Sequence, residues 1–131
     1  VLAQAAGTDS AVNRIRFQGG DYSPCADFGL LDRAVRIAEK RNTGVVVGGV
    51  LTSDTFYGDD PDFWKVWARY GVVAVEMETA ALYTVSAGLQ ARALSLLTVS
   101  DSLISGETAS TEARQQGYTD MMEIALEVAA G

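Results

Sequence analysis

Three apolar runs of strand length alternate with segments that have helical spacing, and this alternation limits the chain to an α/β fold. The runs are Val45–Leu51, Val72–Val75 and Leu94–Val99. A helix predicted over Thr79–Leu89 separates the second run from the third. A connection of that length suits a right-handed crossover, so we expect the strands on either side of it to be parallel.

The predicted helices have recognisable ends. Asp27 is a suitable N-cap for a helix that ends at Lys40–Arg41, where cations suit the C-terminal dipole. Asp60 and Pro61 predict the start of a second helix, which Gly71 terminates. The inner stripe of a final helix is predicted to consist of Tyr118, Met121, Met122, Ala125 and Val128.

Size and charge restrict the class of protein. The 131 residues are 48% hydrophobic and show no linker or repeat, which predicts a single domain over residues 1–131. The 17 Asp plus Glu exceed the 10 Lys plus Arg, and the net charge of -7 repels phosphate backbones and acidic lipid headgroups. We therefore expect no nucleic-acid partner and no membrane partner.

The chain contains no His and a single Cys, so the commonest general base and metal ligand is missing. Any acid-base catalysis must then be carried out by carboxylates. Cys25 has no partner for an internal disulfide, which fits a reducing cytosol. Without a His to activate its thiol, we expect Cys25 to be a small buried hydrophobic residue.

The apolar segments of the chain predict neither a membrane helix nor a targeting segment. The longest apolar run is far shorter than the roughly 20 residues that span a bilayer, which predicts no membrane helix. The chain opens on the apolar Val1 and lacks both an initiator Met and a basic leader region. We therefore expect no signal peptide, and we expect sequence to be missing upstream of Val1.

Carboxylates follow each of the three predicted strands. Asp54 follows the first, Glu76 and Glu78 follow the second, and Ser100 with Asp101 ends the third. Ligands of open α/β sheets bind beyond the carboxyl ends of the strands, so we expect these residues to meet at one edge. The alternative for each is a helix cap or a solvated turn residue, and for Asp54 alone we favour that alternative.

The segment Glu76-Met77-Glu78 has a composition that suits a polyol. Its two carboxylates can accept hydrogen bonds from hydroxyl groups, while the apolar face of a sugar ring packs on Met77.

Six segments together resemble the hexameric, DeoD-type purine nucleoside phosphorylases of bacteria. They are Gly7–Ser10, Val12–Phe17, Phe56–Tyr57, Val75–Glu78, Thr98–Asp101 and Glu112–Gln115. The Asn13–Phe17 sequence and the position of Arg114 after Asp101 point to this branch of the wider superfamily. The resemblance covers all of this chain but only about the C-terminal half of a family member. It implies a mixed sheet flanked by helices and truncated at its N-terminus.

The resemblance implies reversible phosphorolysis of purine nucleosides and deoxynucleosides, which gives a free base and a pentose 1-phosphate in purine salvage. Inorganic phosphate is then the co-substrate, with no other cofactor and no metal. The implied setting is a cytoplasmic homo-oligomer, a hexamer. The glycine loop and the arginines that hold phosphate in the family are not found in this chain, so we expect it to be unable to perform phosphorolysis by itself.

The resemblance also assigns catalytic roles. Asp101 is the acid that protonates N7 of the purine, and the pocket must raise its pKa by desolvation to keep it protonated. Arg114 then lowers that pKa as the final helix closes, which pushes the proton to the base. The alternative for Arg114 is a surface ion pair with Glu107 or Glu112.

The remaining implied contacts are with the nucleoside. Glu78 binds the ribose hydroxyls, Met77 packs on the sugar and Glu76 lies beside it. Phe56 stacks on the purine, and Ser100 supports Asp101 or the base. Two other functions remain open from the sequence: a nucleosidase of the same superfamily, which uses water in place of phosphate, and a nucleoside-binding chain without turnover.

Overall fold

The computed structural model describes residues 1–131 as a four-stranded sheet with helices packed on both faces. The strands are β1 (Leu2–Thr8), β2 (Val47–Thr52), β3 (Val72–Glu76) and β4 (Ser95–Leu96). The helices are α1 (Val12–Arg16), α2 (Phe28–Lys40), α3 (Trp64–Arg69), α4 (Thr79–Gly88) and α5 (Thr111–Ala130). The strand order is β3-β2-β1-β4, with β1, β2 and β3 parallel and β4 antiparallel to β1. The predicted α/β class and the implied mixed sheet are confirmed.

The third predicted strand differs from expectation in length and in direction. Only Ser95–Leu96 of the apolar run forms a strand, and Leu96 lies opposite Leu2 in an antiparallel pair. The prediction of a parallel strand over Leu94–Val99 is wrong, because the length of a connection permits a crossover without requiring one. The chain therefore leaves β4 in the direction of the amino end of β1.

Tyr83 of α4 fastens this short strand to β1. Its buried hydroxyl donates to the carbonyl of Ala3 and accepts the N–H of Ser95 at 2.9 Å. Burial raises the pKa of the Tyr83 phenol, so the hydroxyl keeps its proton and its role as a donor at neutral pH. A two-residue strand is thus held by a side chain as well as by its ladder.

The predicted helix ends are largely correct. The Asp27 side chain accepts the N–H of Leu30 at 2.9 Å, and α2 runs from Phe28 to Lys40 as expected. Gly71 follows α3 at φ +84, a conformation that glycine adopts without strain. The helix predicted from Pro61 begins three residues later, because residues 61–63 form a turn before α3.

Two apolar clusters form the core, one on each face of the sheet. The first joins β1 to α2 and α5 and consists of Leu2, Ala34, Ala38, Ile124 and Val128. The second joins β1 and β2 to α4 and consists of Ala3, Ala6, Val50, Ala80 and Tyr83. The neighbouring residues Leu2 and Ala3 belong to different clusters because successive side chains of a strand point to opposite faces.

The inner stripe of α5 was only partly predicted. Val128 is buried, but Tyr118 and Met122 are exposed, and Ile124 takes the second buried position. Arg41 at the end of α2 pairs with Glu123 and Glu127, which flank that buried position on α5. The side of α5 that carries these carboxylates therefore faces the cation directly after α2. The spacing of apolar residues within α5 gives no information about this ion pair.

Cys25 is exposed, so the expectation of a buried residue is wrong. It lies in an isolated antiparallel bridge to Ala5, which places it at the surface beside β1 rather than in the core. Among the five helices, none combines the length and the apolar character that crossing a membrane requires.

Candidate active site

The carboxyl ends of the three parallel strands form one edge of the sheet. Thr8 of β1 is in register with Thr52 of β2, and Thr52 is in register with Glu76 of β3. The polar residues that follow these strands therefore start from a single row across the sheet. The predicted convergence is correct for the ends of β2 and β3, whereas β1 was not predicted as a strand.

Asp9 links the ends of β1 and β2. One of its carboxylate oxygens accepts the Ser53 hydroxyl at 2.7 Å, and the other accepts the N–H of Asp54 at 2.9 Å. The Asp54 carboxylate is exposed, which agrees with the turn role favoured for this residue. Asp9 was quoted for the resemblance but was given no role, because the strand that it follows, β1, was not predicted from the sequence.

Glu76 accepts hydrogen bonds from several groups of the fold itself. Its first oxygen accepts the hydroxyl of Thr52. Its second oxygen accepts the N–H of Glu78 at 2.8 Å, and both the N–H and the hydroxyl of Thr79 at 2.7 Å. The carboxylate therefore holds the turn between β3 and α4 together.

Met77 and Glu78 occupy that turn and are exposed. The Glu78 side chain does not cap α4, and its carboxylate takes part in no hydrogen bond or ion pair of the chain. A free carboxylate beside an apolar side chain is an arrangement that can accept hydroxyl groups of a sugar while the Met packs on its ring.

Phe56 lies in the loop after β2, and its ring is 73% exposed. The ring meets Tyr57 edge-on, with centroids 4.8 Å apart and an interplanar angle of 82°. Its face is therefore available for stacking on another planar group.

Asp101 lies in a second polar cluster, which is open to solvent. Ser100 donates its hydroxyl to the Asp101 carboxylate at 2.6 Å, and Thr108 forms an antiparallel bridge with Asp101. The cluster lines a cavity of about 430 Å³ formed by Val99, Ser100, Asp101, Ser102, Glu107, Thr108 and Ala109.

The pKa of Asp101 is lowered, not raised as expected for an acid catalyst. The hydrogen bond from Ser100 is the largest cause, followed by a hydrogen bond from Thr108, and the charge of Arg114 acts in the same direction. The expectation of a desolvated Asp101 is wrong for this conformation, because the side chain is exposed and its donors stabilise the carboxylate.

Arg114 is in the first turns of α5, close enough for its charge to act on Asp101. Its side chain donates from Nε to the carbonyl of Ala109 at 3.0 Å. Neither Glu107 nor Glu112 forms an ion pair with it, so the surface ion pair considered as its alternative role is not present.

The second polar cluster is not hydrogen-bonded to the residues of the first. No hydrogen bond or ion pair joins Ser100 or Asp101 to the residues that follow β1, β2 and β3, because β4 runs in the opposite direction to those strands. The expected meeting of the carboxylates at one edge is therefore correct for two of the three predicted strands, β2 and β3, and wrong for the third, β4.

Replacing Ser100 by Ala should raise the pKa of Asp101 toward its ordinary value, since the Ser100 hydroxyl is the strongest group that stabilises the carboxylate. Titration of the Asp101 carboxyl carbon by NMR measures this directly. Ser102→Ala is the control, because the Ser102 hydroxyl accepts the N–H of Ser105 instead. An unchanged pKa in the first variant, or an equal rise in both, contradicts this explanation.

The family model of the phosphorylase superfamily matches residues 2–130, a range that contains both polar clusters. The chain belongs to the phosphorylase superfamily. Among its relatives, a DeoD-type purine nucleoside phosphorylase from Caldanaerobacter subterraneus subsp. tengcongensis is 54% identical over 129 residues. That match covers 98% of this chain and 56% of the relative.

Other relatives of this chain are DeoD-type purine nucleoside phosphorylases as well. The DeoD-type purine nucleoside phosphorylase from Geobacillus kaustophilus is 52% identical over 98% of this chain and 54% of its own length. That from Clostridium perfringens strain SM101 is 50% identical over 98% of this chain and 55% of its own length. The chain spans about half the length of the curated relatives it matches.

Proposed function

We propose that this chain provides the nucleoside-binding part of the active site of a purine nucleoside phosphorylase. The observation that carries the proposal is the free, exposed carboxylate of Glu78 beside Met77 at the end of β3. Its relatives, which are DeoD-type purine nucleoside phosphorylases, support the same activity. The reaction is phosphorolysis of a purine nucleoside or deoxynucleoside, with inorganic phosphate as co-substrate and no further cofactor.

In the proposed reaction, phosphate oxygen bonds to C1′ of the sugar as the bond between C1′ and N9 breaks. The electron pair of the broken bond stays on the purine, and a proton from Asp101 to N7 neutralises the charge that develops there. General acid catalysis of this kind typically contributes about 10² to 10⁴ in rate. The products are the free base and the pentose 1-phosphate.

Asp101 must bind a proton before it can donate one, and the exposed carboxyl favours the ionised form. A purine that enters the cavity displaces water from around Asp101, and desolvation raises the pKa of a carboxyl. Approach of the Arg114 guanidinium then lowers it again, which drives the proton to N7. Glu78 accepts the ribose hydroxyls, Met77 packs on the sugar, Phe56 stacks on the base and Ser100 supports Asp101.

A hybrid protein tests the proposal. In it, this chain replaces the 129 matching residues of the Caldanaerobacter relative, and release of hypoxanthine from inosine is followed with and without phosphate. Phosphate-dependent release is the expected result. Release that does not depend on phosphate identifies a nucleosidase, and binding of inosine without release identifies a non-catalytic chain.

The isolated 131-residue chain should show no phosphate-stimulated release of hypoxanthine from inosine. Phosphate sites usually combine a glycine-rich loop at a helix N-terminus with an arginine fork. Gly48 is instead buried in β2, where a side chain would meet Val73 at 2.8 Å, and Gly19–Gly20 is followed by Asp21 rather than by a helix. Clear phosphate-stimulated turnover by the isolated chain contradicts this expectation.

We also propose a cytoplasmic location and assembly into a homo-oligomer, a hexamer by the resemblance described above. The single Cys supports a reducing compartment. Large apolar side chains support association with further protein surface, because Ile15, Phe28 and Leu126 are each at least 70% exposed. Sedimentation of the hybrid measures the number of subunits.

A further inference from the structure

The hydrogen-bond donors of the fold occupy most of the Glu76 carboxylate: Oε2 accepts three donors and Oε1 accepts one. An ionised carboxylate offers about four acceptor positions, and Glu76 receives four donors: the hydroxyl of Thr52, the N–H of Glu78, and the N–H and hydroxyl of Thr79. All four belong to the sheet edge or to the turn that follows it. Oε2 has no acceptor position left for a ribose hydroxyl, and the one donor on Oε1 comes from the buried Thr52.

The same hydrogen bonds connect the turn to its surroundings. The Thr52 hydroxyl oxygen also accepts the N–H of Ala80 at 2.8 Å, and the hydroxyl oxygens of Thr79 and Ser95 lie 2.9 Å apart. Thr52 and Thr79 are almost fully buried. Glu76 is thus the centre of a network that joins β2, β3, β4 and the start of α4.

This network fixes the backbone from which the Glu78 side chain projects. The N–H groups of Glu78 and Thr79 both donate to one oxygen of Glu76, at the N-terminal end of α4 where a negative charge is favourable. Without that acceptor, nothing else in the structure holds these two N–H groups. The direction of the exposed Glu78 side chain would then no longer be set.

We propose that Glu76 is a positioning residue: it orients Glu78 toward the sugar through the turn between β3 and α4, and it does not contact the nucleoside. This inference rests on the proposed function in that Glu78 is taken to bind the ribose hydroxyls. It replaces the role implied for Glu76 by the resemblance, which placed this carboxylate beside the sugar.

The experiment uses the 131-residue chain and four variants: Glu76→Ala, Thr79→Val, the double variant, and Thr84→Val. Thr84→Val is the matched control, because Thr84 is a buried threonine of the same helix whose hydroxyl donates to Ala80 within α4. Two quantities are measured. One is the hydrogen-exchange rate of the Glu78 and Thr79 amides by NMR, and the other is the affinity for inosine relative to 2′,3′-dideoxyinosine.

If Glu76 acts by positioning, Glu76→Ala lowers the preference for inosine over the dideoxy compound by about tenfold, since small displacements of a binding group cost affinity steeply. Thr79→Val lowers it in the same direction, although Thr79 is buried away from any ligand. The double variant is no worse than Glu76→Ala, because the bond from the Thr79 hydroxyl to Glu76 is already lost when Glu76 is replaced. Thr84→Val leaves the preference unchanged.

Two results would mean that Glu76 contacts the nucleoside directly, and either would overturn the proposal. In the first, the losses of preference for inosine in the two single variants add in the double variant. In the second, Thr79→Val keeps the full preference and only Glu76→Ala loses it. Should Glu76→Ala fail to fold, the comparison of Thr79→Val with Thr84→Val decides the question alone.

The exchange rates separate this inference from the proposed function. Suppose that the Glu78 and Thr79 amides exchange faster in Glu76→Ala but stay slow in Thr84→Val. This result supports a role of Glu76 in holding the turn even if neither the parent chain nor any variant binds inosine. In that case the proposed function fails, and what stands is that Glu76 holds the turn from which the Glu78 side chain projects. Unchanged exchange in Glu76→Ala overturns the positioning role whatever the nucleoside affinities are.

Discussion

Asp101→Asn in the hybrid should lower the turnover of inosine by about 10² to 10⁴-fold, with little change in nucleoside binding. The amide has a shape similar to that of the carboxyl but carries no proton that it can give to N7. Initial rates at saturating inosine and phosphate measure the loss. An Asn at this position can still accept the hydrogen bond from Ser100, so the loop around it should keep its conformation.

7-Methylguanosine provides the control for this prediction. Its base is already cationic, so departure of the base requires no proton from the enzyme. Turnover of 7-methylguanosine should therefore be nearly the same in Asp101→Asn and in the parent hybrid. An equal loss on both substrates would exclude Asp101 as the acid.

Glu78→Ala in the hybrid should lower kcat/KM for inosine by about tenfold or more. A hydrogen bond to a charged group contributes about 1.5 to 3 kcal/mol, and the proposal gives this carboxylate the ribose hydroxyls. The loss should shrink for 2′,3′-dideoxyinosine, which lacks the 2′- and 3′-hydroxyls that Glu78 is proposed to bind. Steady-state kinetics on the two substrates provide both values.

Asp54→Ala is the matched control for the Glu78 variant. Asp54 is also an exposed carboxylate just after a parallel strand, but its place is in the turn held by Asp9. It should leave kcat/KM within about twofold of the parent, as expected for a surface substitution without a specific role. The assignment of Glu78 is contradicted if its variant behaves like that of Asp54.

Local sequence signals predicted the parts of the fold that depend on neighbouring residues. Asp27 caps α2 because a side-chain oxygen three residues before Leu30 is within reach of its N–H, which is a purely local geometry. Gly71 ends α3 for an equally local reason. The ends of β2 and β3 fall within two residues of the predicted ones, and their carboxyl ends meet at one edge as parallel strands must.

Features that depend on distant residues were not predicted. The direction of β4 is set by its pairing with β1, far away in the sequence, and by the Tyr83 hydroxyl between them. The buried positions of α5 pack on Leu2, Ala34 and Ala38, and Arg41, directly after α2, pairs with carboxylates beside them. Apolar spacing describes only the helix itself, so it could not identify these partners.

In the candidate site, too, local features were predicted from the sequence and features that depend on distant residues were not. Residue type and strand ends were enough to select Glu78 and Asp101, but they could not show that Glu76 is occupied by four donors of the fold. They also could not show that Asp101 is exposed with a lowered pKa in this conformation. Both facts depend on Thr52, Thr79, Ser100 and Thr108, whose positions relative to the carboxylates follow only from the tertiary structure.

The sugar product tests the central claim most directly. Inosine and inorganic phosphate are incubated with the hybrid, and the phosphorus NMR spectrum is recorded while hypoxanthine is released. The proposed function predicts that one sugar 1-phosphate forms for each hypoxanthine and that an equal amount of inorganic phosphate is consumed. Release of hypoxanthine with free ribose and unchanged phosphate would contradict the phosphorylase assignment.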